Sequence, residues 1–228
     1  MTAFQLQAEP FEFKIGFDFE HQAIADGFAR IAGVDEVGRG CLAGPVVAAA
    51  CILDTTKPVP KGLNDSKKLT ERQRNEIAAE LRETAVAYGV GMVEADEIDR
   101  INILEATKLA MMKAIETLDP AADHILIDAL QLKNLRIPQK AIIKGDSISY
   151  SIAAASVIAK TYRDNLMVEY DAVYPQYGFA GHKGYGAAVH LAALREHGPC
   201  RLHRMTFHGV ADGPTTSRKI DNALEYKV

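Results

Sequence analysis

The segment that most restricts what this chain can fold into is GVDEVGRG, residues 33–40. Ile31-Ala32-Gly33-Val34 is an apolar run of strand length, and Gly38-Arg39-Gly40 supplies a turn beyond it, so 31–37 is predicted as a buried strand. Two adjacent acids, Asp35 and Glu36, close that strand. Carboxylates at the end of a buried strand are costly to desolvate unless a cation compensates them. Successive strand residues point to opposite faces, so Glu36 can join Asp35 only where the strand ends or bulges. Glycine on each side of Arg39 lets the backbone approach a ligand closely and leaves N–H groups free to meet phosphate. This segment alone points to a metal site beside a phosphate-binding turn.

The remaining pattern places that strand in a layered domain. Residues 46–53 (VVAAACIL) read as a second buried strand, and 85–93 as a third. Thr70-Glu71-Arg72-Gln73 has the capping-box pattern and opens a helix to about residue 83. Asn102 opens another, predicted to bury Leu104, Met111, Ile115 and Leu118 on one face and to stop at Pro120. HILID (124–128) is a short strand ending in Asp128. KAIIKGD (140–146) repeats the design of apolar strand, glycine and acid, ending in Asp146. A helix is predicted over 147–164, with Ile148, Ile152, Ala155, Ala159 and Tyr162 at helical spacing. Its small run Ala153-Ala154-Ala155-Ser156 would let it pack close to a sheet. A loop over 174–183 precedes a helix at about 184–197; short helices are expected over 18–28 and after Gly209. Strands followed by alternating strands and helices imply an α/β sandwich with a mixed sheet, whose site lies at the carboxyl ends of the central parallel strands.

Three predicted strands thus end in acids: Asp35 with Glu36, Asp128, and Asp146. Singly, Asp146 reads as a helix N-cap and Asp128 as a turn residue. Together they suit hard divalent cations such as Mg²⁺ or Mn²⁺, which take oxygen ligands and, in pairs, drive phosphodiester hydrolysis. The sequence has no G-x-x-x-x-G-K-[ST], G-x-S-x-G or H-E-x-x-H.

Composition narrows the setting. The net charge of −4 disfavours a nucleic-acid partner at first sight, but it is uneven. Residues 1–140 hold 16 Lys/Arg against 22 Asp/Glu, whereas 141–228 hold 10 against 8 with five of the seven histidines, so a basic face can form on the C-terminal half. Three scattered cysteines without a C-x-x-C pair fit a reducing cytoplasm. No secretory signal or membrane-length apolar run is visible, so a cytoplasmic protein with no membrane partner is expected.

Several blocks resemble the ribonuclease HII family over roughly residues 30–208: IAGVDEVGRGCLAGPVVAAA (31–50), NDSKKLT (64–70), HILIDA (124–129), KGDSISYSIAAASVIAKTYRD (144–164), GHKGYG (181–186) and HRMTF (203–207). The resemblance implies a ribonuclease H-like fold, a five-stranded mixed sheet flanked by helices, as one domain with a core at about 30–170 and a C-terminal helical part at about 171–228 completing the substrate groove. It implies that Asp35, Glu36, Asp128 and Asp146 form the metal-binding catalytic set for two Mg²⁺ or Mn²⁺ ions; Asp35, leading the central strand, is the candidate to bridge them. By the same resemblance Gly38-Arg39-Gly40 grips the backbone at an RNA–DNA junction and senses the ribose 2′-hydroxyl, and Tyr185 presses on the sugar there. Lys67, Lys68, Lys183, His203 and Arg204 are read as phosphate contacts. The family usually carries glycine after the third acid; this chain has Ala129, a departure expected to change nothing. Absence of the extra N-terminal substrate domain of the ribonuclease HIII group favours HII.

The expected activity is therefore hydrolysis of RNA in RNA–DNA hybrids, and incision 5′ to ribonucleotides embedded in duplex DNA, by a monomer. The alternatives are another two-metal nuclease or strand transferase on the same fold, which would ignore a lone ribonucleotide, and a catalytically silent nucleic-acid-binding module, which would bind hybrid without metal.

Overall fold

The computed structural model describes residues 14–211. Helix α1 (Asp18–Ala25) precedes the antiparallel run β1 (Ile31–Val37), β2 (Val46–Ile52) and, after α2 (Glu71–Thr84), β3 (Ala87–Val93). Then come α3 (Ala95–Ile101), α4 (Ile103–Glu116), β4 (His124–Asp128), β5 (Gln139–Ile142) and the long α5 (Tyr150–Val173), followed by α6 (Phe179–His182) and α7 (Ala188–His197). The sheet order is β3-β2-β1-β4-β5, with β1 antiparallel to β2 and parallel to β4. This is the five-stranded mixed sheet flanked by helices that the sequence predicts. The segments 1–13 and 212–228, including the helix expected near the C-terminus, lie outside the described residues.

Both faces of the sheet are covered. On one, Ala32, Val34, Val46, Ala48, Ala50 and Ile52 meet Ala106, Ala110, Met111 and Ala114 of α4. On the other, Val47, Ala49 and Cys51 meet α2 and the alanine-rich face of α5. Each large buried side chain, Ile158 or Leu81 for example, contributes about 1.5–3 kcal/mol. The close approach of α5 depends on Gly33, where a Cβ would lie 2.0 Å from the Ser151 carbonyl carbon. Helix α2 begins with the predicted capping box, Thr70 accepting from the Gln73 N–H and the Gln73 side chain reaching back to Thr70. Such a cap is worth about 1 kcal/mol.

Four sequence expectations change. Leu104 is exposed, because α4 turns Ala106, Thr107 and Ala110 inward instead. Helix α5 starts at Tyr150, capped by Ser149, and runs on to Val173 because no breaker occurs before Pro175; Tyr162 faces outward. The predicted loop at 174–183 contains α6, and the following helix begins at Ala188. Strand β5 stops at Ile142, so Asp146 does not end a strand. It lies in a one-turn 3-10 helix, Gly145–Ser147, entered through Lys144 in the left-handed conformation (φ 58°).

Candidate active site

The pairing of β1 with β4 stops at Val34↔Ile127, while β1 continues in regular register with β2 to Val37↔Val47. Asp35, Glu36 and Asp128 therefore sit where two parallel strands part, which gives Glu36 room beside Asp35 without a bulge. Asp35 is only 4% exposed. Its Oδ1 accepts from the Glu36 N–H at 2.8 Å, and the Ser156 hydroxyl of α5, itself 2.9 Å from Ser66 Oγ, also bonds it. Asp128 accepts from the Gly145 N–H at 2.8 Å, which ties the end of β4 to the turn carrying Asp146. Asp146 is buried too, with Lys67 Nζ 3.4 Å from its Oδ2. Ser149, not Asp146, caps α5.

The electrostatics are those of crowded acids. Burial, then the neighbouring Glu36 and Asp128, hold the Asp35 carboxyl well above the usual carboxylate range. Burial raises Glu36 and Asp128 as well, opposed at Glu36 by Arg39 and at Asp128 by the Gly145 N–H. Burial alone would lower Lys67, but Asp146, Asp65 and Asp35 together outweigh it and raise the ammonium. Two side-chain cations thus lean on the acids: Lys67 on Asp146, and Arg39 Nη1 on Glu36 at 3.1 Å. Glu36 Oε2 is buried without a hydrogen-bond partner. As the side chains stand, no three of these groups among the described residues converge tightly enough to hold an ion. The donor set nonetheless fits hard divalent cations: four carboxylates, three of them destabilised as anions and one with an orphaned oxygen.

Beside the acids lies a groove of about 200 Å³ lined by Glu36, Gly38, Arg39, Gly40, Lys67 and Tyr185. The turn that lines it is held from behind by two arginines, Arg163 and Arg204, both fully buried. Arg204 donates to the carbonyls of Gly38, Arg39 and Gly44 at 2.7–3.1 Å. Arg163 donates to those of Ala43, Pro45 and Lys183 at 2.8–3.0 Å. With its carbonyls drawn inward, the turn leaves the Arg39 and Gly40 N–H groups without a partner among the described residues. Gly38 (φ 88°) has no alternative, since a Cβ there would lie 2.2 Å from Arg163 Nε. Tyr185, 42% exposed, is brought to this groove because the Leu42 and Ala43 N–H groups both donate to the Gly184 carbonyl.

His203 and Arg204 are corrections to the sequence reading. Neither has any exposed surface, so neither can meet a phosphate; Arg204 works from behind the turn, and His203 is held neutral, burial lowering it to about 3. Lys183 is half-buried, its Nζ donating to the Ala180 carbonyl, and Lys68 Nζ donates to Ser147 Oγ at 3.2 Å. Sequence reasoning missed Arg163, Ser156 and Ser66. Arg163 gives one signal, an arginine on the otherwise apolar face of a helix. A larger cleft, about 610 Å³, opens at the outer edge of β3 and is lined by Glu94, Asp96 and Lys113, away from all four acids.

Ala129 adopts φ 51°, a region costing an L-residue about 1 kcal/mol that glycine does not incur. Its methyl is therefore not neutral. Ala129→Gly is expected to stabilise the fold by about 1 kcal/mol in chemical denaturation, and a loss of stability would show that the methyl makes compensating contacts.

A mixed sheet of this order with acids at the ends of its central parallel strands defines the ribonuclease H-like class of nucleases. The ribonuclease H2 of Pyrococcus horikoshii superposes with a TM-score of 0.69 at 27% identity, covering 81% of this chain and 96% of that one. The PCNA:RNase HII complex of Archaeoglobus fulgidus gives 0.66 at 26%, covering 78% and 95%. Bst-RNase HIII in complex with Mn²⁺ shares the fold at 22% identity, with a TM-score of 0.63 and coverage of 80% and 68%. Residues 32–210 match the family described as Ribonuclease HII. Relatives of that name are 59% identical in Chlamydia caviae, over 83% of this chain and 89% of the relative, and 55% identical in Ruminiclostridium cellulolyticum, over 83% and 74%. The chain belongs to the ribonuclease HII family, and is an endoribonuclease of the ribonuclease H type.

Proposed function

We propose that this enzyme hydrolyses the RNA strand of RNA–DNA hybrids and nicks duplex DNA on the 5′ side of embedded ribonucleotides, leaving 5′-phosphate and 3′-hydroxyl ends. The observation that carries this reading is one groove lined by Glu36 of the acid set, by a glycine turn whose Arg39 and Gly40 N–H groups have no partner among the described residues, and by the half-exposed Tyr185 ring. A phosphate adjoining the scissile one fits the Arg39 and Gly40 N–H groups, and the turn can approach a ribose closely because it carries no side chain at 38 or 40. The Tyr185 ring lines the same groove as that turn, and in this reading it presses on the sugar of the next nucleotide. Only the 2′-hydroxyl separates RNA from DNA at such a junction, so a tight turn beside a flat ring is a suitable reader. Lys67 offers a largely exposed ammonium to a neighbouring phosphate once released from Asp146.

Asp35, Glu36, Asp128 and Asp146 are the residues to hold two Mg²⁺ or Mn²⁺ ions. Bound there, such ions supply an activated water and neutralise the charge developing on the leaving 3′-oxygen. Arg39 and Lys67 compete with the metals for Glu36 and Asp146, so substrate phosphates that draw these cations away favour loading. Action as a monomer is part of this reading, since the groove residues named here all come from one chain. The three free cysteines suit a reducing cytoplasm, and no helix among the described residues is long and apolar enough to cross a membrane.

The test is a DNA duplex bearing one ribonucleotide. A chelator should abolish cleavage, Mg²⁺ or Mn²⁺ should restore it on the 5′ side of the ribonucleotide, and Ca²⁺, with its looser coordination, should not. Mg²⁺ should also raise the melting temperature of the free enzyme, since it binds only the folded form. Full activity in chelator would overturn the metal assignment; cleavage of hybrid with no cut at a lone ribonucleotide would overturn the junction reading.

A further inference from the structure

Behind Tyr185 lies a buried chain of imidazoles that the proposed chemistry does not use. The Cys200 backbone N–H donates to His203 Nδ1 at 3.0 Å. His203 Nε2 lies 3.0 Å from His190 Nε2, and His190 Nδ1 lies 2.8 Å from the Tyr185 carbonyl oxygen. His190 and His203 are fully buried. Each contact constrains the next. A backbone N–H can only donate, so His203 Nδ1 is the unprotonated nitrogen and the proton of the neutral ring sits on Nε2. The short contact between the two Nε2 atoms takes one proton, so His203 donates and His190 accepts. The proton of His190 must then be on Nδ1, where it donates to Tyr185. The Cys200 thiol, 3.2 Å from the same His203 Nδ1, is pushed up to about 11 by burial and stays a thiol.

A third ring lies against this pair. His182 stacks on His190 with centroids 4.4 Å apart and planes 13° from parallel. Its Nδ1 accepts from the Gly184 N–H at 3.2 Å, leaving Nε2–H for the Tyr177 carbonyl at 2.8 Å. Phe179 meets the His190 ring edge-on. Nothing in this cluster offers a carboxylate to a second proton, and burial keeps His190 and His203 below their usual range.

We propose that His190 and His203 are positioning residues: a neutral, fixed-tautomer relay from the Cys200 N–H to the Tyr185 carbonyl sets where the Tyr185 ring stands in the groove, and so how well the enzyme places a ribonucleotide junction. The inference rests on the reading of Tyr185 as the junction-contacting ring. Its chemistry predicts an asymmetry between two amides. In His190→Asn the side-chain NH₂ falls where Nδ1–H was and keeps the bond to Tyr185, losing His203. In His190→Gln the amide reaches the Nε2 position and keeps His203, losing Tyr185.

Single-turnover cleavage of the one-ribonucleotide duplex should stay within about threefold of wild type for His190→Asn and fall about tenfold or more for His190→Gln, with duplex binding little changed in either, because displacement near 1 Å costs rate up to about 10²-fold. Equal losses in the two variants, or losses that follow their melting temperatures, would overturn the relay. Nitrogen NMR of the unmodified enzyme gives a second readout that does not depend on how the variants fold: His190 should be the Nδ1–H tautomer and His203 the Nε2–H tautomer, and the reverse in either ring sinks the proposal. If Tyr185→Ala is fully active while the tautomers are as stated, the reading of Tyr185 fails and the relay is merely structural. If Tyr185→Ala is impaired but both His190 variants are not, the relay alone fails.

Discussion

Asp35→Asn is expected to lower turnover by at least the ~10²–10³-fold that loss of one preorganised transition-state contact costs, and at the same time to raise thermal stability in metal-free buffer. The two effects have one cause. Asp35 is buried beside Glu36 and Asp128, and its folded-state carboxyl titrates above its unfolded value of 3.8. A group with a raised folded pKa contributes stability below the unfolded value and loses it as pH rises through the folded one. Above that window the ionised carboxylate is a net burden on the fold, which asparagine removes. The gain should therefore be clear at pH 8, a few degrees where 1 kcal/mol is worth about 2–4 °C in a chain of this size, and should shrink as pH falls toward 4. Added Mg²⁺ should stabilise the parent enzyme and do much less for the variant. Asp146→Asn should be as inactive but nearly neutral in stability, since its partner Lys67 is mostly exposed and loses little by release. Activity and stability falling together in both variants would make these acids structural, and the metal assignment would go with them.

Tyr185→Ala is expected to slow single-turnover cleavage of a duplex with one ribonucleotide by ~10²-fold while changing its binding several-fold at most. The ring is 42% exposed at the mouth of the groove, so its removal leaves no core cavity. What it removes is the surface proposed to hold the sugar, and a misplacement of about 1 Å is enough for a loss of this size. Lys67→Ala supplies the contrast. Its loss should weaken binding of hybrid and plain duplex alike and reduce the salt slope by ~1, as for one phosphate contact. A Tyr185→Ala enzyme cutting at the parental rate would move junction reading to another part of the groove.

How much of this could be read from the chain depended on how local the determinant was. Strand β1, its two acids and the capping box at Thr70 and Gln73 follow from neighbours in sequence, and the structure has them at the predicted positions. Asp146 was read as a strand end because Ala141-Ile142-Ile143 looks like a longer strand, but β5 stops at Ile142 and Ile143 is exposed. Helix α3 was missed because ADEIDRI is mostly charged and buries only Ala95 and Ile98. His203 and Arg204 were misread for a different reason. Charged and polar types near a glycine turn suggest solvent and phosphate, and nothing around residue 204 reveals that the carbonyls receiving its guanidinium come from 38–44. Burial of an arginine is a property of the partner segment, and that segment is far away in the sequence.

That distance has a consequence for how the enzyme comes into being. The turn at 38–40 emerges early in synthesis, yet the Arg204 guanidinium that fixes the Gly38 carbonyl follows 166 residues later. Arg163 comes between them, tying the same loop to Lys183. The first strands can pair and the acids gather without Arg204, but the Arg39 and Gly40 amides proposed to face phosphate are set only once residue 204 packs behind them. The grip proposed for nucleic acid is thus the last part of the site that the chain can fix, because it needs residues 38–44, 163 and 204 together.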